Sequence, residues 1–138
     1  MDQSILTPVL ILIAWTLLVW AWMYAVRIPA MAAAEVDPDD AKHPGSLGML
    51  PSSVRSVADN YNHLHEQPTV LYALAFYTYL AGNVTSFTLT AAWVYVFLRI
   101  AHSLVQNTVN RVMARFAIFT LSSLTLVALT VVNFLRMS

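Results

Sequence analysis

The chain has 138 residues, of which 59% are hydrophobic and only 10% are charged, and its mean hydropathy is +0.65. This composition excludes an ordinary soluble domain of this length and places the chain in a lipid bilayer. Seven basic residues balance seven acidic ones, which leaves no electrostatic surface for nucleic acid, and the absence of cysteine excludes disulfides, thiolate metal sites and cysteine nucleophiles.

Four apolar segments are predicted to cross the membrane, because each one, with its flanking helical turns, approaches the about 20 residues that a helical span requires. The sequence therefore predicts an all-α integral membrane protein with a single domain over residues 1–138. The predicted spans are residues 5–26, 68–81, 89–107 and 114–135. The first span follows Asp2 rather than a basic segment and exceeds the apolar run of a signal peptide, so we interpret it as retained.

Residues 27–53 are predicted to form a loop, because prolines, glycines and acidic residues are concentrated there. If all four segments cross, one side of the membrane receives the basic residues Arg27, Lys42, Arg55, Arg111 and Arg115. Only Arg136 flanks the other side. By the positive-inside rule the loop is cytoplasmic and both chain termini lie across the membrane.

A polar stretch at residues 59–68 directly precedes the second span. We expect its helix to continue through Pro68 into that span, with a kink where proline removes a backbone donor. On such a helix, positions i, i+3, i+4 and i+7 share one face. The side chains at these positions are Asp59, Asn62, His63 and Glu66.

The third span carries a second polar face, formed by Arg99, His102 and Gln106. Such residues are costly in lipid, so we expect them to point inward, toward protein or a water-filled cavity. Arg115 falls in the first turns of the fourth span, where the helix dipole disfavours a cation, and we expect an anionic group beside it. These polar residues could also serve only to pack helices together.

The combination of arginines, a carboxylate and amides suits an anionic, peptide-like ligand. One alternative is haem held by His102 and a second histidine, and another is a metal ion. The candidate metal ligands are His63, His65, Glu66 and His102. Because His63 and His65 are two positions apart and point in different directions on a helix, we predict no metal site.

Three motifs stand out along the chain: Asn-His-Leu-His-Glu-Gln-Pro at residues 62–68, Leu-Arg-Ile-Ala-His-Ser at 98–103 and Asn-Arg-Val-Met-Ala-Arg-Phe at 110–116. Together they resemble the MAPEG family, the membrane-associated proteins in eicosanoid and glutathione metabolism, and are most similar to its short bacterial members. The resemblance implies an up-down four-helix transmembrane bundle, a homotrimer, and glutathione bound between protomers on the cytoplasmic side. We expect a bacterial inner membrane with both termini periplasmic.

The resemblance also implies the roles of individual residues. Arg115 is the expected catalytic residue, which stabilises the thiolate of glutathione as co-substrate. The expected glutathione-binding residues are Arg27, Asn62, His63, Glu66, Arg99, His102 and Gln106. The chain departs from the family at Gln106, where the family has a tyrosine, and at Phe116 and Phe119, where it has a serine and a tyrosine.

Two functions follow as expectations. The first is a glutathione or related thiol transferase or peroxidase that acts on lipophilic electrophiles or lipid hydroperoxides, with lipids and lipophilic small molecules as partners. The second is a non-catalytic membrane protein of the same fold that binds lipids or serves as an accessory subunit.

Overall fold

The computed structural model describes residues 4–43 and 45–137, and this part of the chain is helical and contains no strand. Asp2, Pro44 and both chain ends, which entered the predictions above, lie outside the described residues. The elements are α1 (Leu6–Ala33), a short 3-10 helix (Pro38–Asp40), α2 (Ser52–His63), α3 (Pro68–Leu80), α4 (Ser86–Asn107) and α5 (Val112–Leu135).

Three of these helices, α1, α4 and α5, are long and apolar enough to cross a membrane. They confirm the prediction of an all-α integral membrane protein. The helix α3 has 13 residues and is therefore about 20 Å long. It is shorter than the hydrocarbon core of a bilayer, which is about 30 Å thick.

The helix α1 extends beyond its predicted end at residue 26 and finishes at Ala33. It continues past the internal Pro29 into a run rich in alanine, the residue with the highest helix propensity. The prediction of a loop was therefore wrong for residues 27–33, and the segment between α1 and α2 begins at Ala34.

The helix predicted to run through Pro68 is instead broken into α2 and α3. Proline has no amide hydrogen and its ring clashes with the carbonyl four residues earlier, so it fits the first turn of a helix better than its interior. Here Pro68 is the first residue of α3, and residues 64–67 form a turn in which the His65 amide donates to the Asn62 carbonyl at 2.9 Å. The predicted shared face from Asp59 to Glu66 was wrong, because Glu66 lies in this turn.

The core combines apolar packing with polar contacts between helices. Buried apolar side chains include Val9, Leu12, Val57, Leu71, Tyr95, Val96, Leu126 and Leu129. Since lipid tails are as apolar as leucine, close packing and hydrogen bonds between helices must hold such a core together in a bilayer.

One set of interhelical hydrogen bonds, which we call the asparagine cluster, consists of Thr78, Asn83 and Asn133. The side-chain nitrogen of Asn133 donates to the hydroxyl of Thr78 at 2.8 Å. Asn83, in the turn before α4, donates through its own side-chain nitrogen to the Asn133 amide oxygen at 3.1 Å. The cluster ties α3 and the following turn to the last part of α5.

Candidate functional site

The polar face of α4 is buried, as predicted. Arg99, His102 and Gln106 are only 1%, 3% and 2% exposed. Their spacing of three and four residues places them on one side of the helix, which faces α2 and α5. Of the three, only His102 lines a groove described below.

Arg99 is a buried cation whose donors are only partly used. Its Nη2 donates to the His63 carbonyl at 3.0 Å, and its guanidinium lies over the Phe119 ring at 5.5 Å from the ring centre. Its Nε and Nη1 are buried without a hydrogen-bond partner. Within the described residues no carboxylate lies within 4.0 Å of an arginine nitrogen, so Arg99 has no ion-pair partner there.

Arg115 lies in the first turn of α5 and is half-buried. Its Nη1 donates to the side-chain oxygen of Asn110 at 2.7 Å, and its Nε is buried without a partner. The neighbour provided by the described chain is therefore a neutral amide and not the anionic group that the sequence led us to expect. The charge of Arg115 stays uncompensated.

A groove of about 250 Å³, which we call the histidine groove, brings several predicted site residues together. The residues that line it are His63, His102, Val112, Arg115, Phe116 and Phe119. The ring centres of His63 and His102 are 6.2 Å apart, and that of Phe119 is 6.3 Å from His102. The groove thus joins a cation and two imidazoles to an apolar wall.

Glu66 lies beside this groove and is exposed. Its carboxylate is 4.0 Å from Nδ1 of His63, and its side chain is 67% accessible. His65 is also exposed, and its Nδ1 lies 2.8 Å from the Tyr61 carbonyl. In residues 4–43 and 45–137, no three histidine, aspartate or glutamate side chains are grouped as metal ligands.

Two predicted binding residues, Arg27 and Asn62, line a different groove of about 250 Å³, which we call the loop groove. Its other walls come from the segment between α1 and α2 and from the outer face of α2. These walls are formed by His43, Gly45, Leu47, Gly48, Leu50, Val54, Arg55, Ala58 and Asp59. One copy of the chain therefore does not bring all the predicted residues into a single site.

Gln106 lines neither groove, because it packs α4 against α2. Its Oε1 accepts a hydrogen bond from Nδ2 of Asn60 at 3.1 Å, and Nδ2 of Asn107 donates to Oδ1 of Asn60 at 3.3 Å. The sequence analysis missed the buried Asn60. The four-residue spacing of Ser56, Asn60 and Leu64, all buried, is the signal that could have identified the inner face of α2.

Comparison with known proteins gives one match. The model of the MAPEG family matches residues 5–135, from just before α1 to the last residue of α5. No curated protein and no solved structure matches the chain significantly.

Proposed function

The chain belongs to the MAPEG family of membrane proteins in glutathione and eicosanoid metabolism, and from this membership we propose that it transfers or oxidises a thiol, glutathione or a close relative. We further propose an up-down four-helix bundle in which α3 and the turn before it form the second crossing. The bundle assembles as a homotrimer in a bacterial inner membrane, with both termini periplasmic.

The observation that carries the proposal is the state of Arg115. Its guanidinium lines the histidine groove, its Nε is buried without a partner, and no carboxylate of the described chain lies within 4.0 Å of its nitrogens. A preorganised, uncompensated cation in a site with little water is what stabilises an anion such as a thiolate. A purely structural arginine is normally paired.

The reaction that fits this site begins when the thiol releases its proton to water and the thiolate is held by Arg115. The sulfur then attacks an electrophilic carbon to form a carbon–sulfur bond, and a halide or similar group leaves with the bonding electron pair. With a lipid hydroperoxide, two thiols are oxidised to one disulfide while the hydroperoxide is reduced to an alcohol and water. Both reactions require the same stabilised thiolate.

The peptide part of glutathione requires partners for two carboxylates and one ammonium group. Arg99 offers two unused buried donors for a carboxylate, and the exposed Glu66 suits the ammonium group. His63 and His102 complete the polar wall. We propose that Arg27 and Asn62, which line the loop groove, reach glutathione across the contact between neighbouring copies of the chain.

The lipophilic substrate is proposed to enter from the bilayer. Val112 and Phe116 line the histidine groove and are 70% and 63% exposed. Apolar side chains exposed on one copy of a membrane protein face lipid or a neighbouring copy, and we propose that a molecule dissolved in the bilayer reaches the groove at this surface without crossing water.

The test compares Arg115→Ala with Arg111→Ala, which removes an equal charge from an exposed position four residues earlier. We expect Arg115→Ala to decrease kcat for conjugation of glutathione to chlorodinitrobenzene by about 100-fold to 1,000-fold, the usual effect of removing an anion-stabilising donor. The ultraviolet absorbance of bound thiolate should disappear as well. Arg111→Ala should retain both signals, and full activity in Arg115→Ala would contradict the proposal.

The second candidate is a non-catalytic protein of the same fold. It is favoured by the hydrogen bonds among Asn60, Gln106 and Asn107, which use polar side chains of α4 for packing alone. Under this function the purified protein binds no glutathione at millimolar concentration, and Arg115→Ala changes only the free energy of unfolding.

A further inference from the structure

The turn between α4 and α5 contains a residue with an unusual backbone conformation. Asn110 has a φ of +47°, in the left-handed region that asparagine tolerates better than most residues other than glycine. Its amide hydrogen donates to the Val105 carbonyl at 2.7 Å. This conformation fixes the direction of the Asn110 side chain, which lies between α2 and α5.

We propose that Asn110 is a positioning residue for Arg115, an inference that rests on the thiol chemistry proposed above. Its amide bridges two helices: Oδ1 accepts from Nη1 of Arg115 at 2.7 Å, and Nδ2 donates to the Ser56 hydroxyl at 3.0 Å. Ser56 in turn donates to the Ser52 carbonyl at 2.8 Å. A chain of three hydrogen bonds therefore connects the backbone of α2 to the guanidinium.

The bridge matters because arginine is long and flexible, whereas catalysis requires its charge at one place. A displacement of about 1 Å can decrease a rate 100-fold. Ser56 is 6% exposed and thus has a fixed position in the core. Through the bridge, Asn110 holds the guanidinium of Arg115 in a fixed position beside the histidine groove, which Arg115 lines.

The neutrality of Asn110 is the second part of the inference. A carboxylate at this position would also accept a hydrogen bond from Arg115, although it could not donate to the Ser56 hydroxyl. It would also neutralise the cation and weaken its attraction for a thiolate. An amide orients the guanidinium and leaves its charge intact.

The experiment uses the full chain with glutathione and chlorodinitrobenzene, and it measures kcat, KM, thiolate absorbance and thermal unfolding for three variants. Asn110→Gly keeps the left-handed backbone but removes the bridge, and we expect its kcat to fall about 10-fold to 100-fold. Asn110→Asp keeps the acceptor for Arg115, loses the donor to Ser56 and adds a negative charge, so its thiolate absorbance should fall below that of Asn110→Gly, which loses the bridge alone. Ser56→Ala, which acts from the other helix, should decrease kcat in the same direction but less.

Thr108→Ala serves as the control in the same turn, since the Thr108 hydroxyl donates only to the Leu104 carbonyl of its own helix. It should match the wild type in kcat and thiolate absorbance. Wild-type kcat and thiolate absorbance in either Asn110→Gly or Asn110→Asp would overturn the role of Asn110. Failure of the wild type itself to form a bound thiolate would overturn the proposed function, and this result is obtained before any Asn110 variant is made.

Discussion

The two ends of α5 take part in polar clusters of opposite character. Near the last turn, the asparagine cluster leaves none of its buried side-chain nitrogen or oxygen atoms without a partner. Near the first turn, Arg99, His102 and Arg115 all retain buried atoms that no described residue bonds. Polar groups that satisfy one another hold helices together, whereas buried groups with unused capacity can bond water, an ion or a ligand.

The difference follows from the side chains themselves. An asparagine has two donors and one oxygen acceptor, which two neighbours of the right type can satisfy. A guanidinium has five N–H donors, and in this chain Arg99 meets one carbonyl, that of His63. Placing arginine on the inner face of α4 therefore creates hydrogen-bonding capacity that the described residues do not fill.

Arg99→Leu provides the largest expected effect. The ligand-free protein loses one hydrogen bond but no longer buries an uncompensated cation, so its free energy of unfolding should change by less than about 1 kcal/mol. Glutathione affinity should fall about 10-fold to 100-fold, because charged hydrogen bonds contribute about 1.5–3 kcal/mol. Calorimetry and thermal unfolding in detergent measure the two quantities.

Arg99→Lys is the matched variant for this test, since it keeps the charge but not the forked donors. An intermediate affinity is expected for it. If Arg99→Leu bound glutathione normally and was less stable than the wild type, the proposed difference between the two ends of α5 would be contradicted.

Asn133→Ala should produce the reverse pattern. It removes the acceptor of Asn83 and the donor to Thr78, and we expect the free energy of unfolding to decrease by about 2 kcal/mol, since each buried group left unpaired costs about 1–3 kcal/mol. Catalytic activity per folded molecule should not change. Both are measured on the same detergent-purified sample by unfolding and by a conjugation assay.

Thr130→Ala supplies the comparison within α5, because the Thr130 hydroxyl donates only to the Leu126 carbonyl of its own helix. Its effect on stability should be clearly smaller than that of Asn133→Ala. Equal effects of the two variants would show that the asparagine cluster adds nothing beyond local packing.

Ser123→Ala is expected to have the smallest effect. The Ser123 hydroxyl accepts from Nε2 of Gln67 at 2.7 Å and joins α5 to the turn before α3, but both side chains are only partly buried. Interhelical hydrogen bonds in membrane proteins average about 0.6 kcal/mol, and we expect a loss of that size in the free energy of unfolding. If Ser123→Ala decreased the free energy of unfolding as much as Asn133→Ala, the contact between Ser123 and Gln67 would be as important for stability as the asparagine cluster.

The buried face of α4 could be predicted from the sequence, because the periodicity of a helix depends only on the spacing of residues within it. The spacing of Arg99, His102 and Gln106 within an apolar segment was enough to predict that they share a buried face. Nothing local indicated that Gln106 would bond Asn60, since that contact joins residues 46 positions apart. Whether a polar group is left without a hydrogen-bond partner depends on all the residues around it. Only the folded structure shows which residues these are.

The break at Pro68 was the main error, and it changed the prediction for Glu66. The sequence offered a choice between a kinked interior proline and a new helix start, and the turn at residues 64–67 shows that the chain starts a new helix. The separation of the loop groove from the histidine groove was equally unpredictable, because it depends on how α1 and α2 pack. The expectation that Arg27 and Asn62 join Glu66 at a site remains a prediction.

The short length of α3 has a consequence for the surrounding lipid. In the proposed four-helix bundle, where α3 forms the second crossing, its 13 residues would fall about 10 Å short of a typical hydrocarbon core, and the bilayer beside it would thin to reduce the hydrophobic mismatch. The turn at residues 64–67, with its exposed Glu66, would then lie deeper than lipid headgroups normally reach. In this arrangement the proposed thiol and the proposed lipophilic substrate would meet at the same depth in the membrane.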